Sequence, residues 1–297
     1  MAGTGPSLRD ARAHAVRARA VLTLACDDRV GIVRAVSGFL ADRGVNIDES
    51  QQFAAPSGRF FMRVQTSLPE GLAVAALRDE FVPLATEMGM SWGMYDAEVR
   101  PRLLVLVSKL GHCLNDLLYR WRIGSLRADI AAVVSNHADF GELVASYGID
   151  FHHLPVSDEN RTEQEARILG IVDRHGVDLV VLARYMQILS PALADRLEGQ
   201  AINIHHSFLP SFKGARPYHQ AYEHGVKLIG ATAHYVTSDL DEGPIIEQEV
   251  ARVEHRHSVD QLVAIGRDIE CAALARAVSW HVEHRVMLNG RTTVVFP

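Results

Sequence analysis

Short, mostly apolar runs alternate with helical stretches through the last two thirds of this 297-residue chain. The runs lie at 103–107, 130–134, 151–154, 179–182 and 201–205, and the helical stretches between them at 139–146, 159–175 and 191–197. Strands and helices that alternate in this way form a mostly parallel, doubly wound sheet with helices on both faces. Residues 259–283 carry apolar side chains at three- and four-residue spacing, which predicts a long helix covering one of those faces.

The first third of the chain follows a different order. Residues 20–26, 47–53, 60–66 and 91–99 have the pattern of strands, and helices are predicted at 32–43 and 70–88. In the second helix we expect inward-facing side chains at Leu72, Ala76, Leu77 and Leu84. The resulting order, βαββαβ, is the ferredoxin-like arrangement. We therefore predict a flexible tail at 1–19, a ferredoxin-like domain at 20–100 and, from Pro101, the doubly wound domain at 101–297.

The composition limits the partners and the compartment. A net charge of −6 and a pI of about 6.2 argue against nucleic acid, because phosphate binding requires a basic surface. No apolar run reaches about 18 residues, so no membrane span is expected. The three cysteines, Cys26, Cys113 and Cys271, have neither disulfide-framework nor metal-site spacing. A reducing, cytoplasmic location is the prediction.

Three polar residues stand out near the end of the sheet pattern. Asn203 and His205 share one face of the 201–205 strand, because side chains alternate along a strand. A further strand at 229–236 leads into an acidic loop in which Asp241 precedes the turn at Gly243 and Pro244. We expect the three side chains to converge from neighbouring strand ends. Such a trio polarises a carbonyl, orients an imidazole and moves a proton.

These residues lie in two motifs, N-I-H followed by S-x-L-P-S-F-x-G, and then H-x-V-T-x-x-L-D-x-G-P. Across residues 102–285 the chain resembles the folate-dependent formyltransferases, the group that contains glycinamide ribonucleotide transformylase. The resemblance implies that Asn203, His205 and Asp241 are the catalytic set and that the substrate is 10-formyltetrahydrofolate. No metal and no cofactor beyond the folate substrate are expected.

The same resemblance implies a slot for the pterin ring formed by the loop after 179–182 and the loop after 229–236. Its lining would be Met186, Ile188, Leu189, Val236, Thr237 and Leu240. The alternative for these apolar residues is that they belong to the core at a strand end. The turn at Gly111-His112-Cys113 departs from the small Ser/Asn-rich turn that transformylases use for the acceptor phosphate, which puts a phosphorylated acceptor in doubt.

His206 separates the family's two branches. Transformylases usually have proline at this position, whereas N-I-H-H-S-F-L-P is similar to the hydrolytic members, which release formate and tetrahydrofolate. On a regular strand His206 points away from His205, so we expect it to act behind the catalytic residues rather than among them.

A second resemblance lies in the first domain. D-D-R-V-G-I-V, followed by L-A-D-R-G-V-N-I, resembles the amino-acid-binding ACT modules. The placement of such a module ahead of the catalytic domain is similar to the architecture of the hydrolytic members. The ACT resemblance implies a homo-oligomer and an amino-acid effector site at Gly31 and Asn46. The alternative is that Gly31 eases a turn and Asn46 caps or bends the entry to a strand.

Three other functions stay open at this point. The chain could transfer the formyl group to an amine acceptor, if it has an acceptor pocket. It could be a metal-dependent hydrolase with His205, His206, His234 and Asp241 as ligands, although it lacks H-E-x-x-H and paired-cysteine spacing. It could also be an amino-acid sensor whose catalytic domain has lost its activity.

Overall fold

The computed structural model describes residues 18–207 and 217–297. The predicted tail, apart from its last two residues, and residues 208–216, which include the 208–214 part of the first motif, lie outside the described residues. Contacts within the chain divide it after Val99 into two compact units.

The first unit contains a four-stranded antiparallel sheet and two helices. Its elements are β1 (Arg19–Asp27), α1 (Ile32–Ala41), β2 (Asn46–Ala54), β3 (Arg59–Ser67), α2 (Val74–Glu87) and β4 (Ser91–Asp96), with the strands in the order β2-β3-β1-β4. Phe81 of α2 packs edge to face against Phe39 and Trp92, with ring centroids 5.0 and 4.8 Å apart. Aromatic pairs of this geometry stabilise a core beyond the area that they bury.

The inward face of α2 agrees with the prediction except at one residue. The helix begins at Val74 and buries Val74, Leu77, Phe81 and Ala85, whereas Ala76 is exposed. The spacing 74, 77, 81, 85 follows one stripe of a 3.6-residue helix, and Ala76 lies outside it. The predicted Leu72, which lies before the helix, and Leu84 are partly buried against the same core.

The second unit is a seven-stranded sheet flanked by helices, with a small ribbon at its end. The strands are β5 (Arg102–Val107), β6 (Asp129–Ser135), β7 (Asp150–His153), β8 (Leu179–Leu182), β9 (Ala201–His205), β10 (Leu228–Tyr235) and β11 (Ile245–Arg252), in the order β11-β10-β9-β8-β5-β6-β7. The helices are α3 (His112–Arg122), α4 (Gly141–Ser146), α5 (Arg161–His175), α6 (Pro191–Arg196), α7 (Pro217–Glu223) and α8 (Val259–Val282). The ribbon is formed by β12 (Val286–Asn289) and β13 (Thr292–Val295).

The predicted doubly wound, mostly parallel sheet is confirmed. Strands β5 to β9 pair in parallel, and apolar side chains cover both faces, with Val105 and Leu104 of β5 on opposite ones. After β7 the chain crosses to the other side of β5 and adds β8 there, so the strand order reverses between the neighbouring strands β5 and β8. In open α/β sheets, ligands bind at the carboxyl ends of the strands beside such a switch.

Two features of this sheet were not predicted. Strand β11 was missed, and β10 runs antiparallel to both β9 and β11.

Of the helices formed by residues 18–207 and 217–297, none has the length and apolar character needed to cross a lipid bilayer.

Candidate active site

A cavity of about 240 Å³ opens at the carboxyl ends of β8 and β9. Asn203, His205 and Asp241 all line it. Nδ1 of His205 lies 3.3 Å from Oδ2 of Asp241. The structure therefore brings the three predicted residues to one site.

Asp241 does not arrive there from a neighbouring strand end, as the sequence had led us to expect. In the antiparallel pair of β9 and β10, Tyr235 lies opposite Ile202, so β10 ends beside the start of β9. The loop 236–244 folds back over the sheet and carries Asp241 to His205. Asp241 itself has a left-handed backbone, with φ 57°, a conformation that Asp tolerates better than most residues.

Gly243 makes this return of the loop sterically possible. A Cβ at position 243 would lie 1.7 Å from the carbonyl oxygen of Tyr235. The same close approach lets the Tyr235 amide donate a 2.9 Å hydrogen bond to the Pro244 carbonyl. Glycine is therefore required by the path of the chain rather than by a positive φ.

We expect Gly243→Ala to displace the loop and to lower turnover at least tenfold, because Asp241 would lose its position beside His205. Steady-state turnover and thermal unfolding together measure the change. Gly170→Ala in α5 is the matched control, since its Cβ would meet nothing within 4 Å and alanine favours a helix by about 0.5–1 kcal/mol. A Gly243→Ala protein with the turnover of Gly170→Ala would contradict the assigned role of the close approach.

His234 contacts this trio, which the sequence did not predict. There, His234 was considered only as a metal ligand. Its register on β10 places it opposite Asn203. Nδ1 lies 2.8 Å from the Tyr235 carbonyl, so Nδ1 carries the proton and Nε2 accepts. Nε2 lies 3.3 Å from Nδ2 of Asn203 and 3.8 Å from Asp241. His234 thereby orients the Asn203 amide, and the pairing of the two strands was the missing information.

The electrostatics favour an ionised Asp241 and a neutral His234. Burial raises the pKa of Asp241, but the hydrogen bond to His205 and the neighbouring imidazoles outweigh it and leave that pKa below its ordinary value. Burial is the main cause that lowers the pKa of His234. The site thus pairs a carboxylate with His205 and keeps the imidazole behind Asn203 uncharged.

His206 does not point away from the site, contrary to the strand-based expectation. The chain bends at residue 206, beyond the end of β9, and the His206 ring stacks on His205 with centroids 4.9 Å apart and planes at 30°. Both rings line the cavity. The alternation of side chains ends with the regular strand.

The metal alternative requires ligand atoms gathered around one point. Within residues 18–207 and 217–297, the ligand atoms of His112, Cys113 and Glu270 lie within 4.8 Å of one another. The four ligands of the metal alternative do not form such a group: His205, His206, His234 and Asp241. Nδ1 of His234 is moreover bonded to its own strand. The geometry around Asp241 therefore favours proton transfer over metal coordination.

The six residues predicted for the pterin slot surround the same cavity: Met186, Ile188, Leu189, Val236, Thr237 and Leu240. Three of them are exposed at its mouth, since Met186, Ile188 and Leu240 keep 56%, 61% and 58% of their surface. These three are therefore not core residues. Val236 and Leu189 pack against the core beneath. An apolar wall with polar groups at one end is typical of a small-molecule site.

The Gly111 turn is covered on one side by an aromatic ring. A Cβ on Gly111 would lie 2.3 Å from Cζ of Phe140, so this ring covers the turn. Nε2 of His112 is bonded at 2.7 Å to Glu270. Among the described residues, Phe140 and Glu270 thus occupy positions next to this turn.

The effector residues predicted in the first unit both lie at element ends. Gly31 precedes α1 with φ 99°, a conformation that favours glycine. Asn46 begins β2, and its amide donates to Asp48 Oδ1 at 2.7 Å. Both positions fit the alternative in which Gly31 eases a turn and Asn46 caps or bends the entry to a strand. Effector binding stays a prediction.

Comparisons with known proteins agree with this fold and site. Residues 101–278 match the family described as Formyl transferase, and residues 20–81 match the ACT domain. The structure resembles glycinamide ribonucleotide transformylase 1 from Symbiobacterium toebii with a TM-score of 0.64 and 33% identity, over 68% of this chain and 97% of that one. An ACT domain followed by a formyl transferase domain is thus the class of protein that the fold and the site define.

More extensive matches define the particular family. Formyltetrahydrofolate deformylase from Corynebacterium sp. (strain P-1) is 52% identical over 281 residues, which is 93% of this chain and 98% of that protein. The Bacillus subtilis deformylase is 47% identical over 93% of each chain. The crystal structure of the Burkholderia mallei deformylase has a TM-score of 0.90 and 53% identity over 94% of this chain and 100% of that one. The chain belongs to the formyltetrahydrofolate deformylase family.

Proposed function

We propose that this protein hydrolyses 10-formyltetrahydrofolate to tetrahydrofolate and formate, supplying formate for purine synthesis and balancing the one-carbon folate pool. The observation that carries the proposal is the cavity itself, which has an apolar mouth and holds Asn203, His205 and Asp241 together. The pterin ring occupies the apolar part. The formyl group then reaches the polar residues.

Asn203 and His205 stabilise the charge that develops on the formyl oxygen. One N–H of the Asn203 amide is directed to His234, which leaves the other for the substrate. Nε2 of His205 is buried, and among the described residues it has no hydrogen-bond partner. When Nδ1 is bonded to Asp241, protonated His205 donates through Nε2 to the oxyanion.

Water is the nucleophile, and the protons balance as follows. The water oxygen bonds to the formyl carbon and gives one proton to Asp241. His205 protonates N10 as the C–N bond breaks, and Asp241 then returns a proton to His205. The formic acid that leaves ionises to formate and releases its proton to solvent.

The covered turn at Gly111 supports water, rather than a phosphorylated amine, as the acceptor. Phe140 covers the turn and His112 is bonded to Glu270. A transferase would need this turn for its second substrate. This chain's own residues account for the reaction without a metal.

Purified, chelator-treated protein should release formate from 10-formyltetrahydrofolate over many turnovers with no amine present. Coupled formate detection, together with the absorbance change of the folate, provides the measurement. Activity that appears only after an amine is added would make the protein a transferase. Activity that requires a divalent metal would restore the metal-dependent alternative.

We also propose that the ACT domain binds an amino-acid effector around Gly31 and Asn46 and joins chains into a homo-oligomer. The match to the ACT domain supports both proposals. Formate release measured with each amino acid in turn, and the mass in solution by sedimentation, test them separately. No change in rate with any amino acid would remove the effector proposal.

A further inference from the structure

Arg184 is an unexpected residue in the wall of the cavity, just beyond β8. Its φ is 66°, a left-handed conformation that strains residues with a Cβ. The backbone is held there because the Ser108 amide donates to the Arg184 carbonyl at 3.2 Å, and the Met186 amide donates to the Ser108 hydroxyl at 2.9 Å. Glycine would fit without strain, so the reason for an arginine lies in its guanidinium.

The guanidinium is buried without being fully hydrogen-bonded. Arg184 keeps 8% of its surface and lines the cavity. Its Nε lies 3.3 Å from Oε2 of Glu270, yet the N–H is not aligned for a hydrogen bond. Within the part of the chain that the structure describes, no acceptor is hydrogen-bonded to it. A buried guanidinium has five N–H donors to satisfy, and leaving them unpaired is unfavourable.

Glu270 does not use up these donors, because its carboxylate is shared. It accepts from His112 Nε2 and from the Tyr218 hydroxyl, each at 2.7 Å. Burial raises the pKa of Glu270, but these hydrogen bonds and the charge of Arg184 together lower it below the ordinary value. Glu270 is therefore an anion that lets Arg184 stay charged inside the protein while the N–H groups remain available to another anion.

His206 lines the same cavity as Arg184 and His205. The His206 ring stacks on His205, and burial together with the nearby charge of Arg184 lowers its pKa to about 4. A neutral imidazole offers one donor and one acceptor. Among the described residues, no protein group is hydrogen-bonded to the His206 ring, so both of its nitrogens are available to a small molecule in the cavity.

We propose that Arg184 and His206 form a subsite for a small carboxylate beside His205, and that it receives formate as the reaction ends. This inference rests on the proposed function, because the oxygen of the attacking water becomes one of the two oxygens of formate. Arg184 donates to the carboxylate in the manner typical of guanidinium–carboxylate pairs. His206 donates to it or, before the reaction, accepts from the water.

The test measures binding of ¹³C-labelled sodium formate to folate-free protein by NMR titration, with sodium chloride at equal ionic strength as the reference. Wild type should bind formate saturably. Arg184→Gly, which suits the left-handed backbone, should weaken binding about tenfold or more, since a charge-assisted pair is lost. The double variant Arg184→Gly with Glu270→Gln removes the carboxylate that would otherwise be buried without its partner, and it should show the same loss.

Arg196→Gln is the matched control, because Arg196 is an exposed arginine of the same unit, 3.8 Å from Asp173, and it should bind formate as the wild type does. Circular dichroism verifies that each variant is folded. Wild-type affinity in the double variant, or no saturable binding by the wild type, would overturn the inference. Turnover is measured in parallel. A wild type that hydrolyses the folate but does not bind formate would contradict this inference alone. A wild type that binds formate but has no turnover would contradict the proposed function.

Discussion

Replacement of His205 by glutamine is expected to reduce formate release by about 10²–10⁴-fold. The glutamine amide keeps an N–H donor for the oxyanion, but it cannot give a proton to N10. Single-turnover measurements at saturating folate separate this loss from any change in binding.

His255→Gln is the control for this prediction, because His255 is exposed on the surface of the same unit. Its rate should equal that of the wild type. The affinity of the His205 variant for tetrahydrofolate should stay near the wild-type value, since the pterin lies against other residues. A His205→Gln enzyme within tenfold of the wild type would remove His205 from the mechanism.

Asp241→Asn is expected to lower turnover by about 10²–10⁴-fold, because the uncharged amide neither stabilises protonated His205 nor accepts a proton. Asparagine also tolerates the left-handed backbone at this position, so the loop should keep its path. The control is Glu242→Gln in the same loop as Asp241. Glu242 is an exposed carboxylate that lies 3.5 Å from Arg291, and its replacement should leave the rate unchanged. Wild-type turnover by Asp241→Asn would refute the assignment.

The pH dependence of stability gives an independent measurement on Asp241. Its pKa lies below the ordinary value of 3.8 in the folded protein, so the ionised carboxylate stabilises the fold above the pKa of the unfolded chain. That contribution is lost as the pH falls through the folded pKa. Asp241→Asn should therefore unfold at a lower temperature than the wild type at neutral pH, and the difference should shrink below pH 3.8. A difference that is constant across this range would mean that the charge of Asp241 is not involved.

The match between sequence and structure depends on how local each interaction is. The short apolar strands and intervening helices were predictable, because periodicity along the chain reports directly on burial. The ribbon β12–β13 turns at Gly290 and Arg291, because Asn289 pairs with Thr292 and Gly290 has the positive φ that a two-residue hairpin loop requires. The inward stripe of α2 was predicted correctly except at Ala76, because a helix of mixed composition admits neighbouring stripes, and the sheet beneath selects one of them.

For the candidate site, the sequence identified the residue types, while the fold placed them. Asn203, His205 and Asp241 came from their motifs, and all three line one cavity. The role of His234 was not predictable, because it depends on a cross-strand register that joins residues far apart in sequence. The orientation of His206 was predicted wrongly, because the regular strand ends one residue before it.

By itself, the sequence determined the two kinds of sheet and which polar residues we propose for the reaction, since these follow from patterns within short stretches and from recognisable motifs. Only the tertiary structure decided that β10 runs antiparallel, that Asp241 reaches His205 through a loop folded back over Gly243, and that a strained Arg184 lies against Glu270. Each of these is a contact between segments distant along the chain. Such contacts are decided by the packing of the whole unit, which selects one arrangement among several that the local sequence allows.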